Sequence, residues 1–112
     1  MYSEGKESIF SHYGKKYRVD DLLRLTGKSR VRRIPISELK WIFDYADPDP
    51  ERAAKASLAY PLVVTKGDVD GEERYIVIDG THRLAKAIQT GRLTVQCFIV
   101  DKDAVKNLPE VT

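Results

Sequence analysis

One short stretch of the chain, residues 79–83, brings together an acid, a glycine, a hydroxyl, an imidazole and a guanidinium. The apolar run "YIVI" comes directly before it, and "LAKAI" begins a new apolar pattern directly after it. This change of pattern predicts a buried strand that ends at Asp79 and a helix that begins at Thr81, with Gly80 permitting a tight turn between them. The chemistry of these side chains therefore belongs to a strand-to-helix corner.

Such a corner is suited to bind an anion. The first backbone N–H groups of a helix lack internal partners, and the helix dipole is positive at that end. Arg83 adds a planar guanidinium that matches two phosphate oxygens, and the Thr81 hydroxyl can cap the helix or contact a ligand. His82 and Lys86 are four residues apart and share one helix face. The predicted phosphate-binding residues are Gly80, Thr81, His82, Arg83 and Lys86.

Asp79 is the unexpected member of this group, because a carboxylate repels a phosphate unless a cation bridges them or the acid handles a proton. Asp79 therefore predicts phosphate chemistry, in which it holds Mg²⁺ or acts as a catalytic group together with His82. The residues alone also allow an ordinary interpretation. Asp79 and Thr81 are common helix-capping types, Arg83 and Lys86 can belong to a solvated face, and His82 can be a corner histidine with its hydrogen bonds satisfied.

The elements that must position this corner are short. Periodicity predicts helices over 17–27, 51–59 and 81–90, and strands over 31–39, 60–65, 74–79 and 94–101. Residues 1–16 are polar and predict a loose arm or an edge hairpin, Pro35 favours an edge strand, and a turn over 66–73 joins two strands into a hairpin. The predicted fold is α+β, a small mixed sheet with helices packed on it.

Length, charge and cysteine content limit the kinds of protein that this chain can be. The chain has 112 residues, 42% of them hydrophobic, and a net charge of +2, which favours one soluble domain and is too weak to indicate nucleic-acid binding by itself. Cys97 is the only cysteine, so an internal disulfide is excluded, and its apolar neighbours predict a core residue. Neither a membrane-spanning run nor a signal-peptide pattern is found, so the cytoplasm is the expected compartment.

Three segments, "IPISEL", "YPLVVTKGDVDGEERYIVIDGTHRLAKAIQTG" and "TVQCFIV", resemble the ParB/sulfiredoxin superfamily over about residues 31–101. The resemblance implies a domain of that fold over 31–112, preceded by an N-terminal arm and short helix over 1–30. The corner is most similar to that of the ADP-dependent free-serine kinases, whose pattern Asp-Gly-x-His-Arg is matched by Asp79, Gly80, His82 and Arg83. The implied cofactors are a nucleotide (ATP, ADP or CTP) and Mg²⁺.

The chain differs from each branch of this superfamily at one or more motif positions, and these differences limit which activities the resemblance implies. Sulfiredoxins have a cysteine at the position of Thr81, so sulfinic-acid repair is not expected here. ParB proteins have a second arginine at the position of His82 and carry a helix-turn-helix domain. No such domain is expected within these 112 residues, so sequence-specific binding to a partition site is not expected. The serine kinases carry a glutamate general base after the first strand. Asp44, which follows the apolar "WIF", is the favoured substitute here, and its alternative is a turn or capping residue.

Two further features allow nucleic-acid contact as an alternative to an ordinary structural role. The run "GKSRVRR" offers a DNA interface or a solvated basic surface through Lys28, Arg30, Arg32 and Arg33. Trp41 and Tyr45 predict a packed aromatic pair, with a base-stacking platform as the alternative. The leading hypothesis is nucleotide-dependent phosphoryl transfer or hydrolysis. Its rivals are a ParB-like DNA-binding or nuclease module and a non-catalytic nucleotide sensor.

Overall fold

A computed structural model describes residues 9–12, 14–27 and 30–111. In chain order its elements are β1 (Ile9–His12), β2 (Lys15–Arg18), α1 (Val19–Thr26), β3 (Val31–Pro35), two 3-10 turns (Ile36–Glu38 and Lys40–Asp44), α2 (Pro50–Lys55), β4 (Leu62–Val69), β5 (Glu72–Asp79), α3 (Thr81–Gln89), β6 (Thr94–Val100) and α4 (Lys102–Lys106). Among the described residues, no helix is long and apolar enough to cross a membrane.

The central sheet has four strands in the order β3-β6-β4-β5. β4 and β5 form an antiparallel hairpin, while β6 lies parallel to β4 and antiparallel to β3. β3 lies at one edge of the sheet, as Pro35 indicates, because proline cannot donate to a neighbouring strand. The predicted α+β fold with a small mixed sheet is confirmed.

Two apolar clusters cover the two faces of this sheet, because successive residues of β4 point to opposite sides. Leu62 and Val64 belong to the first cluster, together with Leu84 of α3. Val63 belongs to the second cluster, whose other buried members are Phe10, Tyr17, Val19, Leu22, Val100 and Val105. Helix α3 therefore packs on one face, and the N-terminal elements pack with α4 on the other. The division of the chain at residue 30 stays a prediction.

Element boundaries differ from the sequence prediction where a turn is tighter than expected. The β4–β5 turn consists of Asp70 and Gly71, which both have positive φ, at 52° and 84°. Such a two-residue turn matches the twist of a hairpin, so strand pairing continues up to Val69 and Glu72. The predicted turn over 66–73 is therefore too long. At the N-terminus, the pairing of β2 with β1 extends to Arg18, so α1 begins at Val19 and not at the predicted residue 17.

Cys97 and Trp41 both have structural roles. Cys97 is fully buried in the first cluster, and burial raises the pKa of its thiol to about 12, which confirms a core residue rather than a nucleophile. Trp41 packs edge-on against Tyr45, with ring centroids 5.9 Å apart, and its indole N–H donates to the Tyr75 carbonyl at 3.0 Å. The aromatic residues thus form the predicted pair, which sits over the outer strand β5.

Candidate functional site

The corner has the predicted strand–turn–helix geometry. β5 ends at Asp79, Gly80 adopts φ 111° and ψ 22° as the N-cap, and α3 begins at Thr81. A Cβ atom on Gly80 would lie 2.9 Å from Leu62 Cγ and 3.1 Å from Arg83 Nε. Gly80 is therefore required both by its positive φ and by the close approach of Leu62 and Arg83.

We expect Gly80→Ala to destabilise the fold more than Gly91→Ala does. Both glycines have positive φ, but a Cβ on Gly91 would meet nothing within 4 Å. Gly91→Ala should cost about 1–2 kcal/mol of unfolding free energy for the backbone conformation. Gly80→Ala should add about 1–3 kcal/mol for overpacking against Leu62. Urea denaturation of both variants measures the difference, and equal losses would show that Leu62 yields without strain.

Asp79 and Arg83 form an ion pair across the corner. Arg83 Nη2 donates to Asp79 Oδ2 at 2.9 Å, and the two side chains are only 16% and 17% exposed. The guanidinium therefore folds back over Gly80, where Asp79 competes with any anion for its donors. Arg83 has five N–H groups in all, so it can turn further donors toward a second oxyanion.

The amino end of α3 has no side-chain cap among the described residues. Thr81 occupies the first helical position and Gly80 the cap position, so the capping role allowed for Thr81 is not observed. The Gly80 carbonyl accepts the first intrahelical bond, from the Leu84 N–H at 2.9 Å. The N–H groups of residues 81–83 precede that bond and have no acceptor within the helix, which leaves them available to an anion.

A cavity of about 770 Å³ opens at this corner. All five residues 79–83 line it, and apolar side chains from three other elements contribute Leu23, Val63 and Phe98. Its volume lies within the roughly 300–1,000 Å³ typical of small-molecule sites. The structure thus places the predicted corner residues together in a concave site.

The charges that line the cavity are mainly positive. Arg52 and Lys55 of α2 line it together with Arg83, and Asp79 is the carboxylate among the described lining residues. Tyr60, 58% exposed, also lines it and offers an aromatic face. Arg52, Lys55 and Tyr60 are not among the site residues predicted from the sequence. The three-residue spacing of Arg52 and Lys55 in "ERAAK" puts them on one helix face, and this signal could have identified them.

Two of the predicted site residues contact α2. His82 lines the cavity, but its Nε2 accepts a hydrogen bond from the Asp49 backbone N–H at 3.3 Å. Lys86 Nζ donates to the Ala54 carbonyl at 3.0 Å and is not among the described lining residues. Lys86 was predicted to bind phosphate, and the structure gives its ammonium group a protein partner instead.

Asp44 lies away from this group of residues. It is exposed in the second 3-10 turn and is not among the described residues that line the cavity. The apolar "WIF" before it packs Ile42 and Phe43 against the core, but the carboxylate itself does not turn inward. Its role as a general base stays a prediction from the sequence, without a supporting contact to the corner.

Metal binding would depend on Asp79. Within the described part of the chain, no group of three or more His, Cys, Asp or Glu residues is arranged to hold a metal ion. A cage built from protein ligands alone therefore does not fit this site. Mg²⁺ is commonly held by one or two carboxylates together with substrate phosphates, and Asp79 fits that arrangement.

Two arginines of the basic run "GKSRVRR" lie on opposite faces of the central sheet. Lys28 lies outside the described residues, and Arg30, Arg32 and Arg33 are exposed. In β3, Arg32 pairs with Cys97 and Arg33 with Gln96, so the two side chains point to opposite sides of the sheet. DNA contact through this run stays a prediction.

Comparison with protein-family profiles and with curated proteins gives no match. Among solved structures, the chain is similar to the crystal structure of sulfiredoxin from Arabidopsis thaliana, at 19% sequence identity and a TM-score of 0.48. The similarity covers 69% of this chain and 93% of that one. At this identity and TM-score it adds nothing about activity to the geometry of the corner.

Proposed function

We propose that this protein binds a nucleotide by its phosphates at the corner 79–83 and catalyses magnesium-dependent phosphoryl transfer to an acceptor or to water. The observation that carries the proposal is the cavity in which the uncapped amino end of α3 meets Arg83, Arg52 and Lys55. Free amides and three cations suit the several negative charges of a polyphosphate. Tyr60 and Phe98 give a nucleoside an aromatic surface in the same cavity.

The Asp79–Arg83 pair explains why an acid belongs in an anion site. Without ligand, each side chain neutralises the other across 2.9 Å. A phosphate that binds Arg83 takes over part of this pairing and leaves the Asp79 carboxylate beside the reacting group. Asp79 then accepts the proton of the attacking hydroxyl while the oxygen–phosphorus bond to the acceptor forms and the bond to the leaving oxygen breaks. Bound Mg²⁺ would neutralise charge on the phosphates.

Thermal unfolding in the presence of nucleotides tests the binding step. We expect ATP, ADP or CTP to raise the unfolding temperature, since a ligand of the native state stabilises it by about 2.7 kcal/mol at 100 times its Kd. The matching nucleoside, which lacks phosphate, should give a much smaller shift. Release of inorganic phosphate, with Mg²⁺ and with a chelator, then measures turnover. No shift with any nucleotide or with pyrophosphate would contradict the proposal, and a shift without turnover would identify a sensor.

A further inference from the structure

Helix α2 needs support from its neighbours, because it has only six residues and an isolated helix of that length is unstable in water. Ala53 is its one buried residue. The side chain of Asp49 caps its amino end by accepting from the Glu51 N–H at 3.0 Å. Yet this short helix carries Arg52 and Lys55, two of the three Arg and Lys residues that line the cavity within the described part of the chain.

Helix α3 holds α2 at both of its ends. His82 accepts from the backbone N–H of Asp49, the residue that caps α2. One turn further along α3, Lys86 donates to the carbonyl of Ala54, in the last turn of α2. A cation is favourable there, because the final carbonyls of a helix lack internal donors and carry the negative end of its dipole.

We infer that His82 and Lys86 are positioning residues, which fix α2 on α3 so that Arg52 and Lys55 face the phosphate subsite; this inference rests on the proposed function. His82 Nε2 bonds to the backbone of Asp49, the residue that caps α2, and Lys86 Nζ bonds to the backbone of Ala54 within α2. Their effect on a ligand is therefore transmitted through the two cations of α2. This assigns the imidazole and the ammonium a role different from direct phosphate contact.

The hydrogen bond from Asp49 uses His82 as an acceptor. The ring nitrogen that accepts this bond offers no proton to a phosphate, so that atom cannot serve both roles. A glutamine can accept the same bond but carries no positive charge. A positioning role therefore predicts that His82→Gln keeps most of the phosphate affinity, and a direct cationic contact predicts that it does not.

Hydrogen exchange in the ligand-free protein tests the positioning directly. We expect His82→Ala and Lys86→Met each to speed amide exchange in α2 by roughly five- to tenfold, the effect of one lost hydrogen bond. The reporter is the Ala53 N–H, which donates to the Asp49 carbonyl at 2.9 Å. His82→Gln keeps an acceptor and should retain most of the protection. Lys102→Met removes an exposed cation that does not line the cavity and should leave α2 unchanged.

Pyrophosphate affinity of wild type, His82→Gln and His82→Ala, measured at one pH, adds a second readout. We expect His82→Ala to weaken pyrophosphate binding several-fold and His82→Gln to retain most of the wild-type affinity. An affinity loss in His82→Gln as large as in His82→Ala, with α2 protection retained, would show a direct cationic contact and overturn the inference, as would unchanged α2 exchange in His82→Ala. Faster α2 exchange with no pyrophosphate binding in any variant would instead contradict the proposed function alone.

Discussion

Replacing Asp79 with asparagine should lower nucleotide turnover by about 100- to 10,000-fold, the usual contribution of a positioned acid or base. Nucleotide affinity measured with a chelator, in the absence of Mg²⁺, should be retained or increased. The asparagine oxygen can still accept from Arg83, whose Nη2 lies 2.9 Å from Asp79 Oδ2, while the negative charge that repels a phosphate is lost. A variant that binds normally and turns over slowly lacks an interaction made mainly in the transition state.

Phosphate release and calorimetric affinity, each with Mg²⁺ and with a chelator, measure the two effects in wild type and Asp79→Asn. Asp101→Asn is a matched control, since Asp101 is exposed and does not line the cavity. Turnover that survives in Asp79→Asn would remove the carboxylate from the reaction. Tighter binding by Asp79→Asn, together with no turnover in wild type, would leave the corner as a passive nucleotide sensor.

Replacing Arg83 with alanine should weaken nucleotide binding by about ten- to a hundredfold, as expected when a charge-assisted contact to phosphate is lost. The same substitution leaves the Asp79 carboxylate, 17% exposed, without its guanidinium partner. That carboxylate then repels the ligand, so the loss of affinity has two sources. Isothermal calorimetry with ADP or pyrophosphate measures the total.

The double variant Asp79→Asn/Arg83→Ala separates the two sources, because a double-mutant cycle isolates the energy shared by a contacting pair. We expect the double variant to bind more tightly than Arg83→Ala alone and more weakly than Asp79→Asn alone. Arg92→Ala serves as the control for overall charge, since Arg92 is exposed and lies outside the cavity lining. Unchanged affinity in Arg83→Ala would exclude Arg83 from the phosphate site.

The sequence by itself determined the corner. An apolar strand, an Asp-Gly pair and an amphipathic helix follow one another within about fifteen residues, and each is specified by local periodicity and by the conformational freedom of Gly80. The Asp70-Gly71 turn is a local signal of the same kind, although the sequence predicted a longer turn, over 66–73, than the two residues observed. Burial of Cys97 also followed from its immediate neighbours. In each case the information lies within one or two adjacent elements.

Only the tertiary structure decided what surrounds the corner. The contacts from His82 to Asp49 and from Lys86 to Ala54 join residues 33 and 32 positions apart, and no local pattern encodes them. They arise because α3 connects β5 to β6 and brings α2 against its side, which carries Arg52 and Lys55 into the cavity and leaves Asp44 outside it. Side chains of similar chemistry are separated by this packing into those that line the cavity and those that contact a helix, since a charged group binds whichever partner the fold places within reach.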